Sequence, residues 1–324
     1  MTDAAVDQAS LIRPLTLVAF GGNALLESSD VGTIEEQLRR AELAAEWLVD
    51  LVELGRDLVI VHGNGPQVGQ VLIQMEEAAT KVPPATLDVA VAQTEGGMGY
   101  LLEMAIRNRL QATSREAEVA TLLSMVVVDT EDPAFHQPTK PIGPFFSKYR
   151  ASILRRELGW SMVEDSGRGW RKVVSSPRPI EVLGMDGIRN LLAVGTVVIA
   201  GGGGGIPVIR RPGGQVEGVE AVIDKDRTAA LMGTELKADL LVNLTNVPHV
   251  SRNFGKRNEK RIDRLSAGSA RRMVEKGRFP PGSMGPKIEA TAGFVEATGN
   301  SAIITNLDQL GAALAGDAGT RIIP

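Results

Sequence analysis

The sequence has no cysteine. That excludes disulfides, thiolate nucleophiles and cysteine-bound zinc or iron–sulfur centres, and it suits a reducing cytoplasm. Histidine is scarce as well: His62, His136 and His249 are the three imidazoles that a general base could use. No apolar run approaches the roughly 18 residues of a membrane span. Neither charge sign dominates, with 35 Lys and Arg against 39 Asp and Glu and a net charge of −4. The balance gives no argument for a nucleic-acid or membrane partner. The opening "MTDAAVDQASLIRPLT" lacks the basic stretch of a secretory signal. Residues 1–13 are expected to form a flexible leader ahead of a single domain over 14–324.

What the chain does have is length and glycine. Its 324 residues, 43% of them hydrophobic, can bury the core of one large α/β domain. The recurring pattern is strand, glycine turn, helix. Residues 15–20 (LTLVAF) read as a buried strand that runs into "GGNALL". Residues 33–54 read as a helix, because Ile34, Leu38, Ala41, Ala45, Leu48 and Val52 make one apolar stripe. Thr33 and Glu36 have capping-box spacing, and Gly55 stands where such a helix ends. A strand at 57–61 then turns through "HGNGPQVG" into another helix. Residues 120–129, 196–200, 240–245 and 301–306 each read as one buried strand. Their nearly continuous apolar character predicts a parallel sheet covered on both faces and joined by right-handed crossovers. The stretch 131–179 is rich in Pro, Gly, Arg and aromatics, and is expected to be an inserted lid.

Three glycine turns follow predicted strands: Gly21-Gly22-Asn23, Gly63-Asn64-Gly65 and the run Gly201 to Gly205. Beyond the carboxyl ends of parallel strands, glycines let amide N–H groups approach an anion. None of the turns has the GK[ST] of a Walker loop, and Gly69 falls one place late for the dinucleotide fingerprint. Three lysines have settings unlike those of ordinary surface lysines. Lys140 stands between prolines in "PTKPIGPF", Lys225 between Asp224 and Asp226, and Lys287 behind "GSMGP". Fixed ammonium groups around a moving phosphoryl group are what phosphoryl transfer requires. Asp226 has two readings, a group that orients a lysine or sits near magnesium, and a helix cap. His62 adjoins a glycine turn, either touching ligand or closing a strand-end hydrogen bond. No paired-carboxylate, H-E-x-x-H or G-x-S-x-G signature is present. An anionic nucleophile would need no base.

These motifs resemble carbamate kinases, within the amino acid kinase superfamily. The resemblance runs from about Leu15 to Thr320. It is carried by "GGNALL", "VHGNGPQVG", "DPAFHQPTKPIGPF", "EDSGRGWRKVVSSPRP", "GGGGIPV", "GVEAVIDKD", "NFGK" and "GSMGPKIEA". It implies a three-layer αβα sandwich with a mostly parallel eight-stranded sheet, a protruding lid subdomain and a cytoplasmic homodimer. The implied reaction is reversible phosphoryl transfer between MgATP and carbamate, giving ADP and carbamoyl phosphate. Its implied metabolic place is ATP formation in nitrogen catabolism, of arginine or purines. By the same resemblance, Gly21, Gly22 and Asn23 would hold the transferred phosphoryl group. Gly63, Asn64 and Gly65 would contact the carbamoyl part, and Gly201, Gly202, Gly203 and Gly204 would face the nucleotide. Lys140 would come from the lid, Lys225 and Lys287 would neutralise the phosphates, and Asp226 would organise Lys225.

Two departures stand out. The family's "AQSQGMIGY" is "AQTEGGMGY" here, which brings in Glu95 and Gly97. Its "TDVD" is "TNVP", with Asn246 and Pro248 on the expected nucleotide side. A carboxylate at Glu95 would add negative charge near the carbamoyl region. The rival readings are a kinase of this fold acting on another small carboxylate, and a non-catalytic sensor. A nicotinamide oxidoreductase ranks lower, because its fingerprint is imperfect.

Overall fold

The computed structural model describes residues 13–21, 32–165, 167–279 and 284–324. The first half contains β1 (Leu15–Phe20), α1 (Ile34–Glu53), β2 (Asp57–His62), α2 (Gly65–Ala78), α3 (Leu87–Ala112), β3 (Val119–Thr121), β4 (Met125–Val128), β5 (Lys140–Phe146) and α4 (Lys148–Leu158). Then come β6 (Met162–Glu164), β7 (Trp170–Val174), β8 (Pro179–Val182), α5 (Met185–Ala193), β9 (Val197–Ile199), β10 (Ile206–Arg210), β11 (Val216–Gly218) and α6 (Lys225–Glu235). The last part holds β12 (Leu240–Leu244), β13 (Val250–Arg252), β14 (Lys260–Ile262), β15 (Arg264–Ser266), α7 (Ala267–Glu275), α8 (Met284–Thr298), β16 (Ser301–Thr305), α9 (Leu310–Ala315) and β17 (Thr320–Ile323).

Helix α1 forms for the local reasons its sequence offers. The Glu36 amide donates to Thr33 Oγ1 at 3.3 Å, and the Thr33 amide donates to Glu36 Oε2 at 3.0 Å. Gly55, just past the helix end, has φ +73°. Ala41, Ala45 and Leu48 are buried, whereas Ile34 at the start of the stripe is exposed.

Eight strands make the main sheet, in the order β15-β17-β16-β12-β1-β2-β9-β3. The pairs from β16 through β3 are parallel. Strand β17 runs antiparallel to β16, and β15 lies parallel to β17. Alternate residues of each strand feed two cores. Leu17, Ala19, Val59, Val61 and Leu241 join the residues of α5, α6, α7 and α8. Val18, Phe20, Leu58, Ile60 and Val242 join those of α1, α3 and α9. This alternation makes the three helix–sheet–helix layers expected from the apolar strands.

One expectation needs correction. Residues 120–129 do not form one strand: β3 lies in the eight-stranded sheet and β4 in a four-stranded sheet ordered β11-β10-β4-β8. The neighbouring chain makes the same crossing, since β9 pairs parallel with β3 and β10 pairs parallel with β4. A strand pair therefore leaves one sheet and enters the next through two adjacent corners, residues 122–124 and Gly201 to Gly205. Ser124 fastens them together. Its Oγ accepts from the Gly201 amide at 2.8 Å, and its carbonyl accepts from the Ile206 amide at 2.7 Å. An apolar run cannot show this break, because both halves are buried strand.

Within the stretch 131–179, β5, β7 and β6 form a separate three-stranded antiparallel sheet. With α4 it encloses a small core of Ala151, Leu154 and Met162, edged by Phe146, Trp160 and Trp170. Strand β8 belongs instead to the four-stranded sheet. The three-stranded sheet meets α2 backbone to backbone: a methyl on Gly69 would lie 1.8 Å from Gly143 Cα.

Candidate active site

Helix α6 starts at the carboxyl edge of the main sheet, where the lysines meet. Asp224 is its N-cap, accepting at Oδ1 from the Asp226 amide at 3.0 Å. The capping role considered for Asp226 thus belongs to Asp224. The Asp226 carboxylate is instead surrounded by lysines. Lys287 Nζ, on α8, donates to its two oxygens at 3.0 and 2.9 Å, and Lys225 Nζ donates to Oδ1. Lys287 also donates to Asn243 Oδ1, on β12, at 2.5 Å. Lys140, the first residue of β5, donates to Asp224 Oδ2 at 3.0 Å. Three ammonium groups from three separate parts of the chain therefore gather around two carboxylates two residues apart.

Burial shapes their ionisation. It lowers Lys225, Asp226 raises it and Lys287 lowers it again, leaving it at about 8. Burial would raise Asp226, but Lys225 and Lys287 outweigh that and hold it well below the usual carboxylate range. At Asp224 burial also pushes upward, and Lys140 pulls its value down. Both aspartates are charged at neutral pH, and three cations oppose them.

The glycine turns stand around this cluster. Gly21 follows β1, whose last carbonyl, on Phe20, accepts from the Gly63 amide at 2.8 Å. Gly22 and Asn23 lie outside the described residues. Asn64 precedes α2 and donates from Nδ2 to Thr94 Oγ1, on α3, at 2.8 Å. A methyl on Gly65 would meet no described atom within 4 Å, so protein packing does not account for the bare backbone there.

At Gly202 to Gly205, packing does account for it. A methyl on Gly202 would lie 2.4 Å from His62 Nε2, on Gly203 2.3 Å from Asn64 Nδ2, and on Gly204 2.4 Å from the Ile223 carbonyl oxygen. Gly201, Gly203, Gly204 and Gly205 also have positive φ. The first demand on this run is thus a tight corner packed inside the protein. Thr228 Oγ1, on α6, holds it by donating to the Gly204 carbonyl at 2.7 Å.

His62 is wholly buried, with Nδ1 3.3 Å from the Gly63 carbonyl, and burial pushes it down to about 4. It is a neutral strand-end histidine. Glu95 does not bring the negative charge considered for it: burial raises it to about 8, against the pull of the Ser124 and Gly202 amides. Gly97 has open space where a side chain would stand. Asn246 is exposed just past β12, and the Pro248 carbonyl accepts from Thr305 Oγ1 at 3.2 Å. The sequence reading gave no role to Asn243, Asp224, Ser124 or Thr228. Asn243 carried one signal, as the lone amide in the apolar strand LLVNL.

Comparison with known proteins agrees with this geometry. The sequence profile described as the amino acid kinase family matches residues 14–306. The carbamate kinase of Thermococcus kodakarensis is 42% identical over 310 residues, covering 95% of this chain and 98% of that protein. The solved carbamate kinase from Giardia lamblia bound to citric acid superposes with a TM-score of 0.91 at 36% identity, covering 96% of this chain and 99% of that one. The same enzyme bound to AMP-PNP gives 0.88 at 37% identity, with the same coverage. By sequence and structure over nearly its whole length, the chain belongs to the amino acid kinase family.

Proposed function

We infer that the protein is a carbamate kinase, transferring a phosphoryl group reversibly between ATP and carbamate. The observation that carries the reading is the convergence of Lys140, Lys225 and Lys287 on Asp224 and Asp226. In the forward direction a carbamate oxygen attacks the γ-phosphorus. One P–O bond forms, the bond to the β-phosphate oxygen breaks, and ADP leaves with the electron pair. The nucleophile is already an anion, so no general base is required. The neutral, buried His62 fits that chemistry. The obstacle is repulsion among anions, which fixed ammonium groups offset without reorganising. Lys225 and Lys287 act on the phosphates, Asp226 aims them, and Lys140 reaches the transferred group.

Magnesium arrives with the nucleotide, as MgATP or MgADP. Among the described residues no group of three or more His, Asp or Glu side chains could hold a metal, and Asp224 and Asp226 are already paired with lysines. Mg2+ is commonly carried by substrate phosphates in this way. Gly21, Gly22 and Asn23 hold the phosphoryl group in this reading, and Gly63, Asn64 and Gly65 the carbamoyl part. The open space at Gly65 supports that placement. Gly201 to Gly204 form the rigid surface along which the nucleotide lies. Residues 131–179 act as the lid that delivers Lys140. A cytoplasmic homodimer completes the reading. Exposed Tyr100 and Leu123 beside the edge strand β3 support a second copy there, and no helix among the described residues is long and apolar enough to cross a membrane. The working direction is ATP formation in nitrogen catabolism.

The deciding assay supplies carbamoyl phosphate and MgADP and follows ATP. Turnover is expected. No ATP from carbamoyl phosphate, with ATP formed from another acyl phosphate, moves the assignment to a different acceptor. Silence with every acyl phosphate points to a sensor. Burial, which raises Glu95 to about 8, weakens the support that this carboxyl gave to a different acceptor.

A further inference from the structure

Asn243 is the lone polar side chain of β12, and it is 1% exposed. Its neighbours across the sheet, Ala19 on β1 and Ile304 on β16, are apolar and offer an amide nothing to bond. The side chain reaches α8 instead. Lys287 and Thr291 stand one turn apart on that helix and share the face that meets it. A buried amide is tolerated when both of its ends are bonded.

Thr291 settles which end faces which residue. Its Oγ1 donates its single hydrogen to the Lys287 carbonyl at 2.7 Å. That oxygen can therefore only accept from Asn243, whose Nδ2 lies 3.4 Å away. The amide carbonyl is thus turned toward the lysine, where Oδ1 accepts from Nζ at 2.5 Å. An ammonium carries three hydrogens. Three acceptors stand within 3.0 Å of Lys287 Nζ to take them: Asn243 Oδ1 and both oxygens of Asp226.

A phosphate oxygen that reaches Nζ must replace one of these acceptors. The Asp226 oxygens belong to a buried anion that Lys225 also holds. Breaking a buried ion pair costs more than releasing a neutral carbonyl. Asn243 is therefore the partner that yields.

We propose that Asn243 is a positioning residue that keeps the place of a phosphate oxygen on Lys287. It satisfies and aims the buried ammonium in the ligand-free protein, and it gives up that hydrogen when phosphate arrives. A neutral amide suits this exchange. An aliphatic side chain would leave the hydrogen bare, and a carboxylate would hold it too firmly. The proposal rests on the reading of the lysine cluster as the seat of the nucleotide phosphates.

The test uses the full chain and MgADP as the probe. Calorimetric titrations and thermal melts compare the parent with Asn243→Leu and Asn243→Asp. Asn243→Leu should lower the ligand-free Tm, because an ammonium hydrogen loses its acceptor. It should also bind MgADP roughly 2- to 10-fold more tightly, because phosphate then meets a hydrogen that no protein atom holds. Asn243→Asp should bind MgADP at least about 10-fold more weakly, because its charged oxygen competes with phosphate.

A residue with only a packing duty would lower Tm and affinity together. Asn243→Leu with an affinity equal to or below that of the parent would therefore overturn the proposal. If Asn243→Leu does not fold, Asn243→Asp decides, and parental affinity for MgADP in that variant would overturn it. A parent that does not bind MgADP removes the proposal and the nucleotide reading together. Affinities in the expected order, without ATP formation from carbamoyl phosphate, leave the proposal standing and remove only the carbamate assignment.

Discussion

Lys140 Nζ and Asp224 Oδ2 lie 3.0 Å apart, joining the first residue of the three-stranded sheet to the cap of α6. This ion pair places an ammonium group from the 131–179 stretch beside the two lysines of the main domain. A phosphate that takes up Lys140 must compete with Asp224. Replacing Lys140 by Met should lower kcat by roughly 100-fold, the scale for removing one preorganised charge from a transition state. ADP affinity should change much less. A steady-state assay with an unchanged kcat would show that Lys140 does not reach the moving group.

Lys287 has a structural duty and, in the proposed mechanism, a chemical one. It bridges Asp226 and Asn243, with all three side chains buried. Lys287→Ala leaves Asp226 with Lys225 alone. Loss of one member of a buried charge pair costs about 3–5 kcal/mol. The expected result is a lower Tm in a protein that still folds, with turnover reduced by at least about 100-fold. Circular dichroism melts and the ATP-forming assay read the two effects separately, and parental turnover would remove the lysine from the mechanism.

Gly69→Ala tests the seating of the three-stranded sheet on α2, and with it the proposed lid. Its methyl would collide with Gly143 Cα at 1.8 Å, a backbone atom that cannot rotate away. Residues 140–174 should then sit displaced from α2, lowering kcat/KM while the main sheet keeps its Tm. Unchanged kcat/KM would mean that the contact is dispensable.

The pH dependence of Lys225 has a definite sign. Burial lowers it to about 8, so the free enzyme sheds this charge as pH rises through that value. The kcat/KM for carbamoyl phosphate should fall over the same window. The stability effect runs the other way. Between about 8 and the ordinary 10.5 the unfolded chain binds the proton that the folded chain has lost, so this lysine's contribution to stability rises with pH. Lys225→Arg, which stays charged, should lose activity overall but flatten the alkaline limb. A parent profile flat through pH 8 would contradict the assignment.

Much of the architecture was legible. Strands β1, β2, β12 and β16 are short apolar runs that end in glycine or polar residues, and α1 carries both its stripe and its capping box. Other parts were hidden for physical reasons. The break between β3 and β4 occurs inside one apolar run, because both halves are buried in different sheets. Helix α3 is buried on several sides, between α1, α2 and the glycine corner, and so has no single stripe to reveal it. The three lysines were visible as lysines in unusual loops. Their common partners were not, because pairing Lys287 with Asp226 spans 61 positions of sequence. Glu95 was visible as a charged letter, and only its burial shows that it carries no charge at neutral pH.

The double corner between the two sheets has a bearing on how tightly nucleotide can be held. Gly201 to Gly205 are fastened by Ser124, Thr228 and Glu95 before any ligand arrives. Loops that close around phosphates usually surrender conformational entropy on binding. In the proposed reading, in which nucleotide lies along these glycines, folding has already met that cost, and affinity spent elsewhere on ordering a loop remains available for discriminating between nucleotides.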